Sequence, residues 1–272
     1  MSSSNRTPTL LKDYQPPQFT IKTVNLGIEI QNKKTLVKSV LTISENNTTC
    51  TQNKHLRLNG VGLNLKEISL DKNRLETHEY EYLDDELVVF NVPKIFVLET
   101  LVEVDPRNNS TLSGLYFSKS GYFTQCEAEG FRRITFYLDR PDIMAQFRTT
   151  IWANVEDYPV LLSNGNLIDK GRKGQTHWAT WEDPFPKPCY LFAMVAAKLS
   201  KIEDSFTTMS GRHISLKIFA EPSRTKQCQF AMLALKNAMK WDEEEFNLEI
   251  DLEQYSIVAV DDFNMGAMEN KG

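Results

Sequence analysis

The sequence predicts a mainly β protein, an antiparallel sandwich or curled sheet over about residues 1–198, followed by the opening of an α/β unit over 199–272. Three observations carry this. From Ile21 onward, apolar and polar residues alternate over many short segments, the period of a half-buried strand. Turn-rich breaks separate those segments, with little helix between them. From Ser223 the apolar period becomes helical, and it returns to strand before residue 260.

The elements follow in order. Residues 1–18 are polar, close with Pro16-Pro17 and read as a lead-in arm. Val24, Leu26, Ile28 and Ile30 alternate with Thr23, Asn25, Gly27 and Glu29, and Val37, Ser39, Leu41 and Ile43 continue in kind. Breaks are expected at Glu45-Asn46-Asn47 and Asn59-Gly60, and a hairpin from Tyr80 to Phe90 turning at Asp84-Asp85. Leu98, Thr100, Val102 and Val104 form the next face, ending at Asp105-Pro106. Ile134, Phe136 and Leu138 predict another, then Ile151, Ala153 and Val155. Ser163-Asn164-Gly165-Asn166 reads as a hairpin turn before the Trp178–Trp181 segment. Pro184, Pro186 and Pro188 predict a stiff connector ahead of a strand from Tyr190 to Val195. Two strands are expected between Phe206 and Phe219, turning at Ser210-Gly211. Ser223 can cap a helix whose apolar stripe is Cys228, Met232, Leu235, Met239 and Phe246, with Met as core filler. Asp242 to Glu245 is its solvated face, and Tyr255 to Val260 is the last strand.

Bulk properties exclude several classes. The 272 residues suit one or two domains, and no internal repeat is present. The net charge of −5 comes with no basic block, which argues against nucleic acid as a partner. No apolar run has the length of a membrane span. Met1 to Arg6 has no apolar core and is not a secretory signal. Cys50, Cys126, Cys189 and Cys228 are widely spaced, which favours free thiols in a reducing cytoplasm. The glycosylation-like triplets at Asn46 and Asn109 then read as chance matches.

Two stretches carry candidate chemistry. Val260 to Gly272 runs from two acids into the small residues Gly266 and Ala267 and the lone carboxylate of Glu269. Small residues let a ligand's backbone approach, and a carboxylate beside them can hold a cationic end group. The alternative is an edge strand with a solvated Glu. Gln125 to Arg133 sets an amide and two carboxylates in a loop; the alternative is a surface turn whose acids pair with Arg132 or Arg133. His55, His78, His177 and His213 form no H-x-x-x-H pair, and no G-x-S-x-G, P-loop or dinucleotide fingerprint is present.

The string Gly266-Ala267-Met268-Glu269-Asn270 resembles the G-A-M-E-N exopeptidase motif of the zinc aminopeptidases of the aminopeptidase N family. The likeness is dense over 125–148, 181–195 and 239–272, and it points to the N-terminal part of a bacterial-type member. It implies a β-sandwich or saddle domain, 1–198, and the start of a thermolysin-like catalytic domain, 199–272. It also implies a zinc enzyme that removes single N-terminal residues from peptides. Gln125, Glu127 and Glu269 would hold the substrate amine. Gly266 and Ala267 would offer backbone to the peptide, Met265 would line the first side-chain pocket, and Met268 and Asn270 complete the motif. Cys126, between Gln125 and Glu127, reads as an inert thiol, and the resemblance implies a cis peptide at Glu127-Ala128.

The family's H-E-x-x-H zinc motif is not in these residues. No catalytic residue and no metal ligand is therefore expected within 1–272, and this stretch alone is expected to be inactive. Its partners would be a peptide N-terminus and the remainder of its own catalytic domain, which would cover the 223–247 helix or the 255–260 strand. Asp262 departs from the aromatic or other apolar residue more usual there, which bears on local packing. Two rivals remain: a non-catalytic interaction scaffold on the same architecture, and a leukotriene hydrolase-like bifunctional enzyme, which would typically show two glycines where Gly266-Ala267 stand.

Overall fold

The computed structural model describes residues 10–46 and 54–271. The first half of the lead-in arm, Asn47, Cys50 and Gly272 lie outside the described residues. The alternating segments form strands, as expected. β1 (Phe19–Ile30) and β2 (Thr35–Glu45) pair antiparallel. A register shift between Ile21 and Thr23 explains why odd residues, Phe19 and Ile21, face inward first and even ones, Val24 to Ile30, afterwards. One extra residue on one strand flips the inward set.

Next come β3 (Leu56–Asn59), β4 (Asn64–Leu70), β5 (Asn73–Arg74), β6 (Tyr80–Leu83), β7 (Glu86–Val89) and β8 (Ile95–Val104). The β6–β7 turn places Asp84 at φ 50° and Asp85 at φ 63°, the left-handed pair a two-residue hairpin requires. β9 (Gly114–Ser118), β10 (Gly121–Gln125), β11 (Ala145–Asn154), β12 (Val160–Ser163), β13 (Asn166–Lys173), β14 (Thr176–Lys187) and β15 (Met194–Ala197) follow. An eight-stranded sheet runs β13-β14-β11-β1-β2-β8-β4-β5, antiparallel except where β1 meets β11. Smaller sheets, β3-β7-β6 and β12-β15-β10-β9, share its core, which includes Ile28, Leu98 and Ile151 of the large sheet, Leu58 and Leu87, and Tyr122 and Ala196.

Beyond these lie β16 (Ser200–Thr207), β17 (His213–Ala220), α1 (Cys228–Phe246) and β18 (Gln254–Val258). β17 and β18 are parallel, joined through α1. Their core is separate: Ile214, Leu216, Ile218 and Ala220 meet Cys228 and Met232, with Leu235 and Met239 alongside. A third cluster, Tyr116, Phe123, Val195 and Ala197 with Val258 and Val260, joins the four-stranded sheet to the chain around β18.

Five local expectations are corrected. Ser223 does not cap the helix; a 3-10 turn, Thr225–Gln227, precedes α1, which starts at Cys228 with no side-chain cap. Phe246 leaves the apolar stripe and meets Trp241 edge-on instead, at 5.0 Å between centroids. Residues 134–137 are all buried and form only a single bridge, Tyr137 to Asn59, so their alternation marks no strand. Ser163 to Asn166 is no hairpin: β12 pairs with β15 and β13 with β14, and the chain crosses between sheets there. Gly165 makes that crossing possible, at φ +88°, where a Cβ would lie 2.1 Å from the Glu182 carbonyl oxygen. Finally, Pro184 and Pro186 sit within β14, beyond its last pairing with β13 at Glu182, where no ladder donor is needed on that side. The following strand begins at Met194, after a 3-10 turn over Cys189–Leu191.

The end of β14 buries an ion pair. Lys187 Nζ lies 3.2 Å from Asp183 Oδ2 and 4.0 Å from the Phe147 ring centroid. Burial brings the Lys187 ammonium down from its usual 10.5 to about 8, opposed by Asp183 and aided by Lys271. Below pH 8 folded and unfolded chains both hold the proton, and the cost of the buried cation is present in full. Between about 8 and 10.5 the unfolded chain binds more protons, so this group's contribution to stability rises with pH. Lys187→Met, which strands Asp183 in the interior, is expected to cost about 3–5 kcal/mol, and Asp183→Leu/Lys187→Met to recover most of it. Unfolding of the three proteins across that pH range checks both statements.

Candidate functional site

After β18 the chain leaves the ladder, and residues 260–271 have no regular structure. Met265, Gly266, Ala267, Met268, Glu269 and Asn270 line one cleft of about 540 Å³. Its opposite wall is built from the four-stranded sheet: Tyr116, Phe123 and Thr124, with Leu162 and Val195. Met265 and Glu269 are exposed. Gly266 needs no glycine for the fold's sake, because a Cβ there would meet nothing within 4 Å and its φ is not left-handed. A depression of about 550 Å³ beside β3, β6 and β7 holds none of the candidate residues, and Arg57 and Glu86 pair across it.

The second stretch begins where β10 ends. Gln125 is 1% exposed, and neither its amide nitrogen nor its oxygen has a partner. Such a group inside a folded protein is rare and calls for an explanation. Asn270 Oδ1 on the motif is likewise buried and unpartnered. The peptide between Glu127 and Ala128 is cis, as the resemblance implies. The loop closes through Gly130, whose N–H donates to the Cys126 carbonyl at 2.7 Å. A Cβ on Gly130 would stand 2.5 Å from the Gln125 carbonyl oxygen. Arg132 binds Asp139 at 2.8 Å and Glu129 at 3.3 Å. The pairing of loop acids with arginine therefore holds for Glu129 and fails for Glu127, which is exposed and makes no hydrogen bond or ion pair among the described residues. Cys126 is fully buried, its thiol pushed up by burial and by Asp139, which keeps it inert.

The motif residues thus share one cleft, while Gln125 and Glu127 are not part of its lining; the nearest lining residue on their strand is Thr124. Charge on the motif's flanks is paired. Ser118 Oγ donates to Asp262 Oδ2 at 2.6 Å, and Lys119 and Arg224 meet Asp261 at 3.3 and 3.8 Å. The Tyr116 hydroxyl donates to the Asp262 carbonyl at 3.1 Å; burial, and then the Asp262 charge, push that phenol up to about 12. Asp262 thus exchanges apolar packing for hydrogen bonds. Glu269 has no such partner among the described residues. Sequence reasoning missed Ser118, Tyr116 and Asn164, whose bonds reach the motif's flanks. Only the Ser163–Asn166 turn signal drew attention to one of them, for another reason.

The residues present do not fit a zinc ion. Among the described residues, no three His, Cys, Asp or Glu side chains gather as ligands. His55, His177 and His213 are engaged with the Asn91 amide, the Tyr158 carbonyl and the Thr207 hydroxyl respectively.

Comparison with known proteins decides the family. The profile described as the Peptidase M1 N-terminal domain matches residues 15–191. The chain belongs to the peptidase M1 family. The Peptidase family M1 domain profile matches residues 230–272. Aminopeptidase N of Escherichia coli is 45% identical over 261 residues, covering 96% of this chain and 29% of that protein. Aminopeptidase N of Caulobacter vibrioides is 46% identical over 263 residues, covering 96% and 30%. The crystal structure of Legionella pneumophila aminopeptidase A in complex with aspartic acid superposes with a TM-score of 0.90 at 38% identity, covering 94% of this chain and 30% of that one. This M1 chain spans about 30% of the length of such relatives.

Two glycines of the M1 chain should respond oppositely to a methyl group. Gly130→Ala is expected to lose about 1–3 kcal/mol, because the new carbon has no room against Gln125. Gly266→Ala should stay within about 0.5 kcal/mol, as befits an exposed position. Chemical denaturation of both variants makes the comparison.

Proposed function

We propose that this chain is the substrate-anchoring N-terminal part of a zinc-dependent aminopeptidase that removes single N-terminal residues from peptides. One observation carries the reading. Among the described residues, the Glu269 carboxylate in the cleft and the exposed Glu127 carboxylate lack partners, as do the buried polar groups of Gln125, while the neighbouring acids Glu129, Asp261 and Asp262 are paired. An ammonium ion supplies what the unpaired groups need: charge-assisted bonds to two carboxylates and an amide oxygen. Anchoring the terminal amine also leaves no space for residues ahead of it, which makes the cut an exopeptidase one. Gly266 and Ala267 offer backbone to the peptide, Met265 lines the first side-chain pocket, and Met268 and Asn270 shape the cleft behind Glu269.

In this reading the β domain ends near residue 198, and 199–272 opens the catalytic domain. The enzyme works in the cytoplasm, in keeping with the unpaired thiols of Cys126, Cys189 and Cys228. Among the described residues, no helix is long and apolar enough to cross a membrane, which says nothing of a β-barrel. A zinc ion held elsewhere in the enzyme would supply Lewis-acid polarisation of the scissile carbonyl and an activated water. Its ligands and the general base are assigned to residues other than these 272, since the residues present do not fit the ion.

Two experiments test this. Glu269→Gln in the full-length enzyme should raise KM for an aminoacyl reporter by about 10- to 100-fold, the worth of one hydrogen bond to a charged group, with the unfolding midpoint unchanged. Unaltered kinetics would count against the amine role. Residues 1–272 purified alone should neither turn over leucyl or alanyl reporters nor hold stoichiometric zinc. Zinc together with turnover that a chelator abolishes would reverse the assignment.

A further inference from the structure

Residues 265–270 are fastened from their two ends. Among the described residues, no hydrogen bond, ion pair or ring contact involves any of them. The segment that carries Glu269 therefore takes its position from what grips it on either side.

On the leading side the grip is shared. Ser118 and Tyr116 hold Asp262, and Asn264 Nδ2 donates to the Leu112 carbonyl at 2.9 Å. On the trailing side it rests on Lys271. The Lys271 ammonium meets Asp251 at 2.7 Å and lies 4.4 Å from the Phe185 ring centroid, but both partners are exposed, and exposed ion pairs position little. The buried contact is to the backbone. Asn164 Nδ2 donates to the Lys271 carbonyl at 2.7 Å. The same nitrogen donates to the Leu191 carbonyl at 3.0 Å, and Asn164 Oδ1 accepts the Ala193 N–H at 2.8 Å. Asn164 is 4% exposed. Its neighbour Gly165 is wedged against the Glu182 backbone, so Asn164 has little freedom to follow a moving partner.

We propose that Asn164 is a positioning residue for Glu269: its amide pins the Lys271 backbone, two residues past the carboxylate, and thereby sets where a substrate ammonium is held. The inference rests on the amine-anchoring role of Glu269. Hydrogen bonds to a charged group fall away steeply with distance and angle, so a motif loosened at its trailing end binds the amine less well. Ligand parts that rest on Met265, Gly266 and Ala267, nearer the leading grip, are affected less.

The test compares two competitive ligands of the full-length enzyme: an amino acid amide, and its desamino counterpart with the same side chain. Wild type should favour the amine-bearing ligand. In Asn164→Ala that preference should shrink by about tenfold or more, with binding of the desamino ligand weakened far less. Asn164→Asp keeps the acceptor for Ala193 and loses the donor, so it should repeat the loss. Equal weakening of both ligands, or an undiminished preference, overturns the proposal, as does failure of both variants to fold, which would make Asn164 structural only. If wild type itself shows no preference for the amine, the amine-anchoring reading has failed instead.

Discussion

The loop that carries Gln125 and Glu127 takes its shape from one buried carboxylate, Asp139. Its Oδ2 accepts from the Arg132 backbone N–H at 3.1 Å and from Arg132 Nε at 2.8 Å. Its Oδ1 accepts from the Cys189 thiol at 3.1 Å, and its own N–H donates to Asn59 Oδ1 at 3.3 Å. A carboxylate this deep is tolerable only because the guanidinium and the surrounding donors satisfy it together. Three segments far apart in the chain, at the end of β3, after β10 and after β14, are thereby set against each other. Burial, aided by the same charge, pushes the Cys126 and Cys189 thiols and the Tyr137 phenol up, so no competing nucleophile stands behind the loop.

Around that point the molecule divides its labour. Paired strands give Tyr116, Phe123 and Thr124 fixed places on one wall of the cleft. The facing wall is the end of β18 and, after it, a stretch without a ladder, left open between its grips. Rigid sheets set the distances and an unladdered segment presents backbone and carboxylate, the usual split between scaffold and binding loop. The sequence alternates accordingly: period two along most of β1, β2, β8 and β11, then small and polar residues after β18.

What could be read from the letters was whatever the chain decides locally. The faces of β1, β2, β8 and β11, the Asp84-Asp85 turn and the Cys228–Met239 stripe follow from spacing within a dozen residues. Ile134 to Tyr137 misled because a segment buried on all sides shows no reliable period. Ser163 to Asn166 misled because turn residues say that a chain bends, and not which sheet it enters. Ser223 offered capping chemistry, yet the chain winds a 3-10 turn before α1. Among the candidate residues, the motif's glutamate and the Gln125-Glu127 pair were singled out only through resemblance, since isolated acids carry no pattern of their own. Asn164 was invisible because its partner is a backbone oxygen 107 residues away, and no residue type advertises that.

The parallel pairing of β1 with β11 also orders events in time. Thr23 aligns with Gln146 and Glu29 with Trp152, so one side of β1 finds its partner only after more than a hundred further residues exist. Its other side closes at once, as a hairpin with β2. During synthesis, at about 5–20 residues per second, that half-built sheet waits several seconds with a bare apolar edge. The wait is long compared with hairpin formation, and such an edge is where neighbouring nascent chains could join. Lys22, on the exposed face of β1, places a charge beside that edge during the interval before β11 arrives.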